Sequence, residues 1–282
     1  MHFIPSSRQL GVPKLKDVSE IFLCGENALA YFKAEAGLKV NTECPHCRSI
    51  MRLWGIIKRS STRSCRFSKS ILSGTALHDL RKGVTTFLNV VYLWLLDTPM
   101  RLMQALTGVT DRTLISYVGR IKRFVTMDLN IDEIRIGREG VMVEIDESLF
   151  GKTKHHRGRP VKGVWVFGSV ERTEEKNRVA IVVEKRSAKR LLPIINRHVR
   201  PGSITYSDMW RAYLSVSEIR LEHCSVSHKK HFKGPEAGLH TNTIESVWNG
   251  FKSKIISQKR VKKEVQVCIN EILWKRMHRA SL

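Results

Sequence analysis

The sequence predicts an α/β protein: a mixed five-stranded sheet with helices in the C-terminal half, preceded by a cysteine-bearing, ribbon-like segment and a helical region of helix-turn-helix pattern. Three observations predict it. Apolar residues recur at helical spacing over residues 83 to 128. From residue 141 onward they occur instead in short runs rich in Val, Ile, Phe and Trp, separated by polar or glycine-bearing turns and alternating with helical stretches. Between the first helical stretch and these regions stands the pair Cys44-Pro45-His46-Cys47. The expected divisions are a helical arm at 1–40, the ribbon-like segment at 41–78, the helix-turn-helix-like region at 79–130 and the sheet domain at 131–282.

The arm rests on Ile21, Phe22, Leu23, Ala28, Leu29, Tyr31 and Phe32, which give one helix over 17–36, stopped by Gly37. Cys24 within it reads as a small buried apolar residue. In the ribbon-like segment, Cys44 and Cys47 have the two-residue spacing that lets both thiolates reach one tetrahedral zinc ion. Cys65 is the next cysteine, but Ser68 stands where a fourth ligand is expected, and a hydroxyl is a poor zinc ligand. Two readings stay open: a structural Zn²⁺ on Cys44, Cys47 and Cys65 completed by a histidine such as His46 or His78, and a decayed ribbon without metal.

Residues 83–128 read as helices. Val84, Phe87, Leu88, Val91, Tyr92, Leu95 and Leu96 form one apolar face, and Asp97-Thr98-Pro99 breaks it. A helix from Met100 to Thr107, a turn at Gly108-Val109 and a helix from Thr110 to Phe124, capped by Thr110 or Asp111, give the helix-turn-helix pattern. The second helix carries Arg112, Arg120, Lys122 and Arg123, a face suited to a DNA major groove. Plain helical packing explains the same pattern.

Strands are expected at Val141–Glu147, Val164–Glu171 and Arg178–Glu184. A helix follows at Ser187–His198, which Pro193 would kink or shorten. Then come a strand at Ser203–Ser207 ending at Asp208, a helix through Trp210 and Tyr213, a strand at Leu221–Val226 and a final helix at Thr243–Ile256. This is the element order of the ribonuclease H-like fold, in which the first strand, the end of the fourth and the last helix meet at one edge of the sheet. Asp146, Asp208 and Glu245 occupy those three places.

Carboxylates are hard oxygen ligands for Mg²⁺ or Mn²⁺, and two such ions about 4 Å apart support in-line phosphoryl displacement. Each acid has a plainer explanation when taken singly: Asp146 as a strand-end turn residue, Asp208 as a helix cap, Glu245 as part of a capping box with Asn242. Their joint order on these elements favours the metal site. Glu144 and Asp146 share a strand face and Glu147 points away, which makes Glu147 the weaker ligand. Lys152, Lys154, His155, His156, Arg157, Arg159 and Lys162 form a basic loop after Asp146, suited to holding phosphates or simply solvated. Glu245, Trp248 and Lys252 share one helix face, with Lys252 beside the phosphate site and Trp248 read as packing.

Charge supports a polyanionic partner. Lys and Arg number 49 against 26 Asp and Glu, a formal net charge of +23, and the basic residues are spread along the chain as no single amphipathic membrane helix would have them. A merely basic protein of ribosomal type has the same composition. No run of about eighteen apolar residues suggests a membrane span, and Met1-His2-Phe3-Ile4-Pro5 is unlike a secretory signal. Six cysteines in a chain of this length fit a reducing compartment. The expected location is the nucleus in a eukaryote, or the cytoplasm and nucleoid in a bacterium.

Several separated motifs carry a resemblance. Val143-Glu144-Ile145-Asp146-Glu147-Ser148-Leu149-Phe150-Gly151, Arg157-Gly158-Arg159, Trp165-Val166-Phe167-Gly168, Glu171-Arg172, Ser207-Asp208-Met209-Trp210-Arg211-Ala212-Tyr213 and His240-Thr241-Asn242-Thr243-Ile244-Glu245-Ser246-Val247-Trp248 resemble the catalytic domain of Merlin-type transposases and their bacterial insertion-sequence relatives. With the ribbon and Leu273-Trp274-Lys275-Arg276, the likeness covers roughly residues 40 to 282. It implies a cut-and-paste DNA transposase with the Asp-Asp-Glu triad Asp146, Asp208 and Glu245, using two Mg²⁺ or Mn²⁺ ions. The implied partners are terminal inverted repeats and target DNA, bound by a homodimer or larger assembly. Some relatives place asparagine at the third position, which makes Asn242 a control. A domesticated or decayed copy that only binds DNA is the alternative, and a repair or RNA-processing nuclease of the same fold a third.

Overall fold

The computed structural model describes residues 12–35, 42–54, 57–73, 78, 80, 83–151, 163–219, 221–226, 242–255 and 262–278. The expected stop at Gly37 and the basic loop Lys152, Lys154, His155, His156, Arg157, Arg159 and Lys162 lie outside them. The chain divides into two compact units, residues 1–128 with 275–282, and residues 129–274.

In the first unit the single helical arm is replaced by two helices, α1 (Leu15–Leu23) and α2 (Gly25–Glu35). The break is at Cys24, whose backbone is extended (φ −111°, ψ 121°) and whose side chain is exposed, not buried as its type suggested. Its carbonyl accepts the Ala28 N–H at 2.9 Å and so starts α2, while Gly25 beside it adds the low helix propensity that favours a break. Strands β1 (Met51–Trp54), β2 (Ile57–Ser60) and β3 (Ser68–Ser70) form an antiparallel sheet in that order.

Helix α3 (Gly83–Leu95) buries Val84, Phe87, Leu88, Val90 and Trp94, so its inner stripe runs to Trp94 and leaves Leu96 exposed beyond its end. Asp97 (φ 57°) makes the break before Pro99. α4 (Met100–Thr107) ends on Gly108, whose left-handed φ of 64° is one that glycine adopts without a Cβ penalty. α5 (Asp111–Leu129) follows, with the Thr113 N–H donating to Thr110 Oγ1 at 3.4 Å, the N-cap bond expected of Thr110.

The second unit holds β4 (Met142–Phe150), β5 (Val164–Glu171), β6 (Arg178–Val183), β7 (Ile204–Asp208) and β8 (Glu222–Val226) in one mixed sheet of order β6-β5-β4-β7-β8. β4 is antiparallel to β5 and parallel to β7, and β7 is parallel to β8. Helix α6 (Ala188–His198) passes through Pro193 and buries Leu191 and Ile195 in a core with Val143, Ile145, Phe167 and Tyr213. Proline removes one helix donor, and the carbonyl thereby freed four residues earlier belongs to Lys189, which is exposed. The helix expected around Trp210 is instead two short 3-10 turns, Arg211–Tyr213 and Val216–Ile219.

α7 (Asn242–Lys254) is not the last helix, because α8 (Lys262–His278) follows it. Val265, Cys268, Ile269 and Leu273 are buried at helical spacing, a pattern legible in the sequence. No helix among the described residues is long and apolar enough to cross a membrane.

Candidate functional site

β4 has two buried faces with different chemistry. Alternation along a strand sends Val143 and Ile145 into the core under α6, and sends Glu144 and Asp146 to the opposite face. The parallel ladder pairs Met142 with Ile204, Val143 with Thr205 and Glu144 with Tyr206. Two residues further in the same register, Asp146 falls beside Asp208 at the end of β7, and laterally paired residues point to the same side. On the other flank Asp146 is paired with Gly168 of β5.

α7 covers this acid-bearing face. The Trp248 indole Nε1 donates to Asp146 Oδ2 at 2.9 Å, and the Ile244 backbone N–H donates to Glu144 Oε2 at 2.9 Å. Gly168 makes the close approach feasible, because a Cβ there would lie 2.4 Å from the Trp248 ring. The ring also meets Phe150 edge-on, with centroids 6.1 Å apart. Glu144 is fully buried, and its second oxygen accepts from Arg172 Nε at 2.6 Å. That pairing offsets the cost of placing a carboxylate inside the protein. Glu245 follows Ile244 in the first turn of α7 and is exposed.

Asp146 feels the charges of the other two expected acids. Burial pushes the Asp146 carboxyl above its ordinary range, and the charges of Asp208 and Glu245 push it the same way, against the hydrogen bonds from Trp248 and the Glu147 backbone. Asp208 Oδ1 also accepts the Trp210 N–H at 3.0 Å, the local turn-making role an aspartate plays at the end of a strand. Glu147 points away, as alternation requires, and accepts a 2.7 Å bond from the Tyr213 hydroxyl. Burial raises it to about 7; the Tyr213 bond and Arg186 oppose the shift, while Asp146 and Asp208 add to it. The Arg186 guanidinium stacks between Trp165 and Trp210, at 3.8 and 4.6 Å.

Of the expected basic groups, Lys252 lies over the Phe150 ring at 5.7 Å, on the same helix as Trp248. Arg112 is exposed on α5, whereas Arg120 is partly buried and donates to the His78 carbonyl. Lys152, Lys154, Arg157 and Arg159 are outside the described residues.

In the first unit, Cys44, Cys47 and Cys65 bring their sulfurs within 4.8 Å of one another. Zinc–sulfur bonds of 2.3 Å in a tetrahedron set sulfurs about 3.8 Å apart, and Cys44 and Cys65 are 3.8 Å apart. Among the described residues this is the one group of three metal-ligating side chains that meets the 4.8 Å spacing. The three carboxylates of the other site are therefore more widely spread. Ser68 is exposed at the start of β3, opposite Arg59. The hydroxyls that border the sulfurs are those of Ser49 and Ser60, each 3.1 Å from Cys47 Sγ. Those two hydrogen bonds, Ser49 first, lower the Cys47 thiol to about 5. Cys65 is raised: the Phe67 backbone N–H pulls it down, but burial and the neighbouring Cys47 and Cys44 thiols outweigh it.

Glu144, Arg172 and the Trp248 indole are the contributors that sequence reasoning left without a role. Their signals were present, Glu144 two residues before Asp146 on one strand face and Trp248 three residues after Glu245 on one helix face. The partners of each lie far away in the chain.

Comparison with known proteins places the likeness in the half of the chain that holds the larger sheet. The family model of the ISXO2-like transposase domain matches residues 139–276, which include every strand of the larger sheet and all three acids. An uncharacterized transposase-like protein of Haemophilus influenzae is 34% identical over 98 residues, covering 34% of this chain and 76% of that protein. The chain belongs to the family of DDE-type insertion-sequence transposases.

Proposed function

We propose that the protein is a DNA transposase that cleaves DNA at the ends of a mobile element and joins the freed ends to target DNA, in cut-and-paste transposition. The observation that carries this reading is the placement of three acids from two neighbouring strands and one helix: Asp146 and Asp208 fall side by side in the β4–β7 register, and Glu245 lies in the first turn of α7, whose Trp248 bonds Asp146. Burial first, and the charges of Asp208 and Glu245 after it, raise Asp146, and a divalent cation would offset the charge repulsion. The donor set is all carboxylate, which fits Mg²⁺ or Mn²⁺ and not a soft metal. Two such ions, when bound, supply activation of the attacking oxygen and stabilisation of the leaving oxygen.

The residues have separate tasks. Asp146, Asp208 and Glu245 hold the ions, and the Trp248 indole fixes one Asp146 oxygen so that the carboxylate keeps its orientation. Lys252 contacts a phosphate beside them, and the loop with Lys152, Lys154, Arg157 and Arg159 neutralises the strand being cut. The order of the sheet, β6-β5-β4-β7-β8 with β4 central, supports a ribonuclease H-like catalytic domain. The helix pair α4–α5, with Arg112 exposed on α5, is the candidate reader of terminal inverted repeats. The sulfur spacing of Cys44, Cys47 and Cys65 supports a structural zinc in the ribbon-like segment. Two DNA ends must be brought together, so the working form is a homodimer or larger, in the compartment that holds the DNA.

The test is a cleavage and strand-transfer assay on DNA carrying the element's ends, with Mg²⁺ or Mn²⁺ and with Asp146→Ala as control. Binding without cleavage by the unaltered protein would favour a domesticated copy, and cleavage without joining a nuclease.

A further inference from the structure

The face of β4 that carries Asp146 holds α7 at two points, and only one involves a proposed metal ligand. The second is Glu144. Its carboxylate is fully buried, accepts the Ile244 N–H at 2.9 Å on one oxygen, and accepts Arg172 Nε at 2.6 Å on the other. The dimensions of the two elements explain why both bonds form at once. Glu144 and Asp146 are two residues apart on a strand, about 6.8 Å. Their partners Ile244 and Trp248 are four residues apart on a helix, about 6.0 Å and on one face. Strand and helix therefore match to within about 1 Å, and both contacts reach 2.9 Å.

A helix start leaves its first N–H groups without intrahelical partners, and an anion there is favoured by the helix dipole. Glu144 supplies that anion from a strand 100 residues away. Arg172 holds the carboxylate from behind and is itself fixed over the Tyr206 ring at 4.9 Å. Gly168 supplies the third constraint, since the Ile244 side chain and the Trp248 ring both occupy the space above it. Successive helix residues differ by about 100° around the axis. A turn of the helix by one residue would move Glu245 away from Asp146, so the clamp on Ile244 sets where Glu245 points.

We propose that Glu144 is a positioning residue for the third acid: with Arg172 it clamps the first turn of α7 through the Ile244 N–H, and so holds Glu245 toward Asp146 and Asp208. This rests on the metal-site reading above. Its consequence is a weaker divalent-ion site when the clamp is lost, while the apolar packing of α7 through Val247, Trp248 and Phe251 remains.

The experiment uses the full chain without DNA and follows Mn²⁺ titration by paramagnetic broadening of the Trp248 indole N–H resonance, with the Mn²⁺ requirement of DNA cleavage measured in parallel. Two double variants remove both charges and differ in whether an acceptor remains. Glu144→Gln with Arg172→Met keeps an acceptor for the Ile244 N–H, and Glu144→Leu with Arg172→Met does not. The Leu pair should raise the half-saturating Mn²⁺ by ~10-fold or more, the scale of losing a partner that orients a metal ligand. The Gln pair should stay within about 3-fold of the unaltered protein. Should the Leu pair fail to fold, Glu144→Ala with Arg172→Met, which removes the acceptor with a smaller side chain, takes its place and should show the same ~10-fold rise. Equal half-saturation for the Gln pair and the pair without an acceptor overturns the clamp. If the unaltered protein shows no Mn²⁺ broadening at Trp248, the metal-site reading falls and takes the clamp with it.

Discussion

The Trp248 indole N–H donates to Asp146 Oδ2 at 2.9 Å, joining residues 102 apart in the chain. An aromatic ring that helical spacing assigns to packing thus also orients the central carboxylate. Trp248→Phe keeps the ring against Phe150 and Phe251 but removes the donor. The indole bond lowers the Asp146 pKa, so its loss raises it further. The acid limb of the pH–cleavage profile should therefore move to higher pH, with activity at neutral pH reduced about tenfold, the equivalent of one hydrogen bond to a charged group. An unshifted limb would mean that the bond does not tune Asp146.

The cysteine cluster makes a prediction about metal and one about reactivity. Purified protein should contain one zinc per chain, and Cys65→Ser should lose it; elemental analysis measures both. After chelation, Cys47 should alkylate first at about pH 7, because a thiol lowered to about 5 by Ser49 and Ser60 is already thiolate there, whereas Cys65 is raised. Mass spectrometry of iodoacetamide adducts reads the order. Preferential labelling of Cys65 would contradict the hydroxyl arrangement.

Glu147 predicts how metal-free protein responds to pH. Its carboxyl is raised from 4.5 to about 7 in the folded state, so the folded form binds the proton more tightly than the unfolded form. That contribution to stability is fully present below the unfolded value and is lost as pH rises through about 7. Asp146, also raised, contributes with the same sign. In chelator, the Tm advantage of the unaltered protein over Glu147→Gln should shrink between pH 4.5 and about 7. A Tm difference that stays constant across the window would contradict the burial of this carboxyl.

The legible parts of the molecule were those written locally. Val143 and Ile145 alternate with Glu144 and Asp146 on β4, Gly108 marks a left-handed helix end, and Thr110 caps α5, each within a few residues of sequence. The break at Cys24 was not legible, because Ile21, Phe22, Leu23 and Ala28, Leu29 keep helical spacing across it and the interruption lies in the backbone of one residue. Helix α8 was not among the expected elements: its stripe Val265, Cys268, Ile269 and Leu273 is written locally but stands among Lys and Glu.

In the candidate site the acids were identifiable by type and by the element carrying each. What held them was not. Glu144 to Ile244 and Asp146 to Trp248 span 100 and 102 residues, and pairings at that separation are set by the register of α7 on the sheet, which no local pattern encodes. Ser68 illustrates the converse: a position inferred from ligand spacing lies on an exposed strand, while Ser49 and Ser60 meet the thiolate.

The most direct test of the central claim is metal-dependent cleavage and strand transfer by the full chain on DNA bearing the element's ends, run beside Asp146→Ala, Asp208→Ala and Glu245→Ala, with Asn242→Ala as the control for the third position. Each of the three acid variants should bind the DNA as the unaltered protein does and lose both reactions, while Asn242→Ala retains them. Cleavage that survives Asp146→Ala, or loss in Asn242→Ala with Glu245→Ala still active, would contradict the assignment.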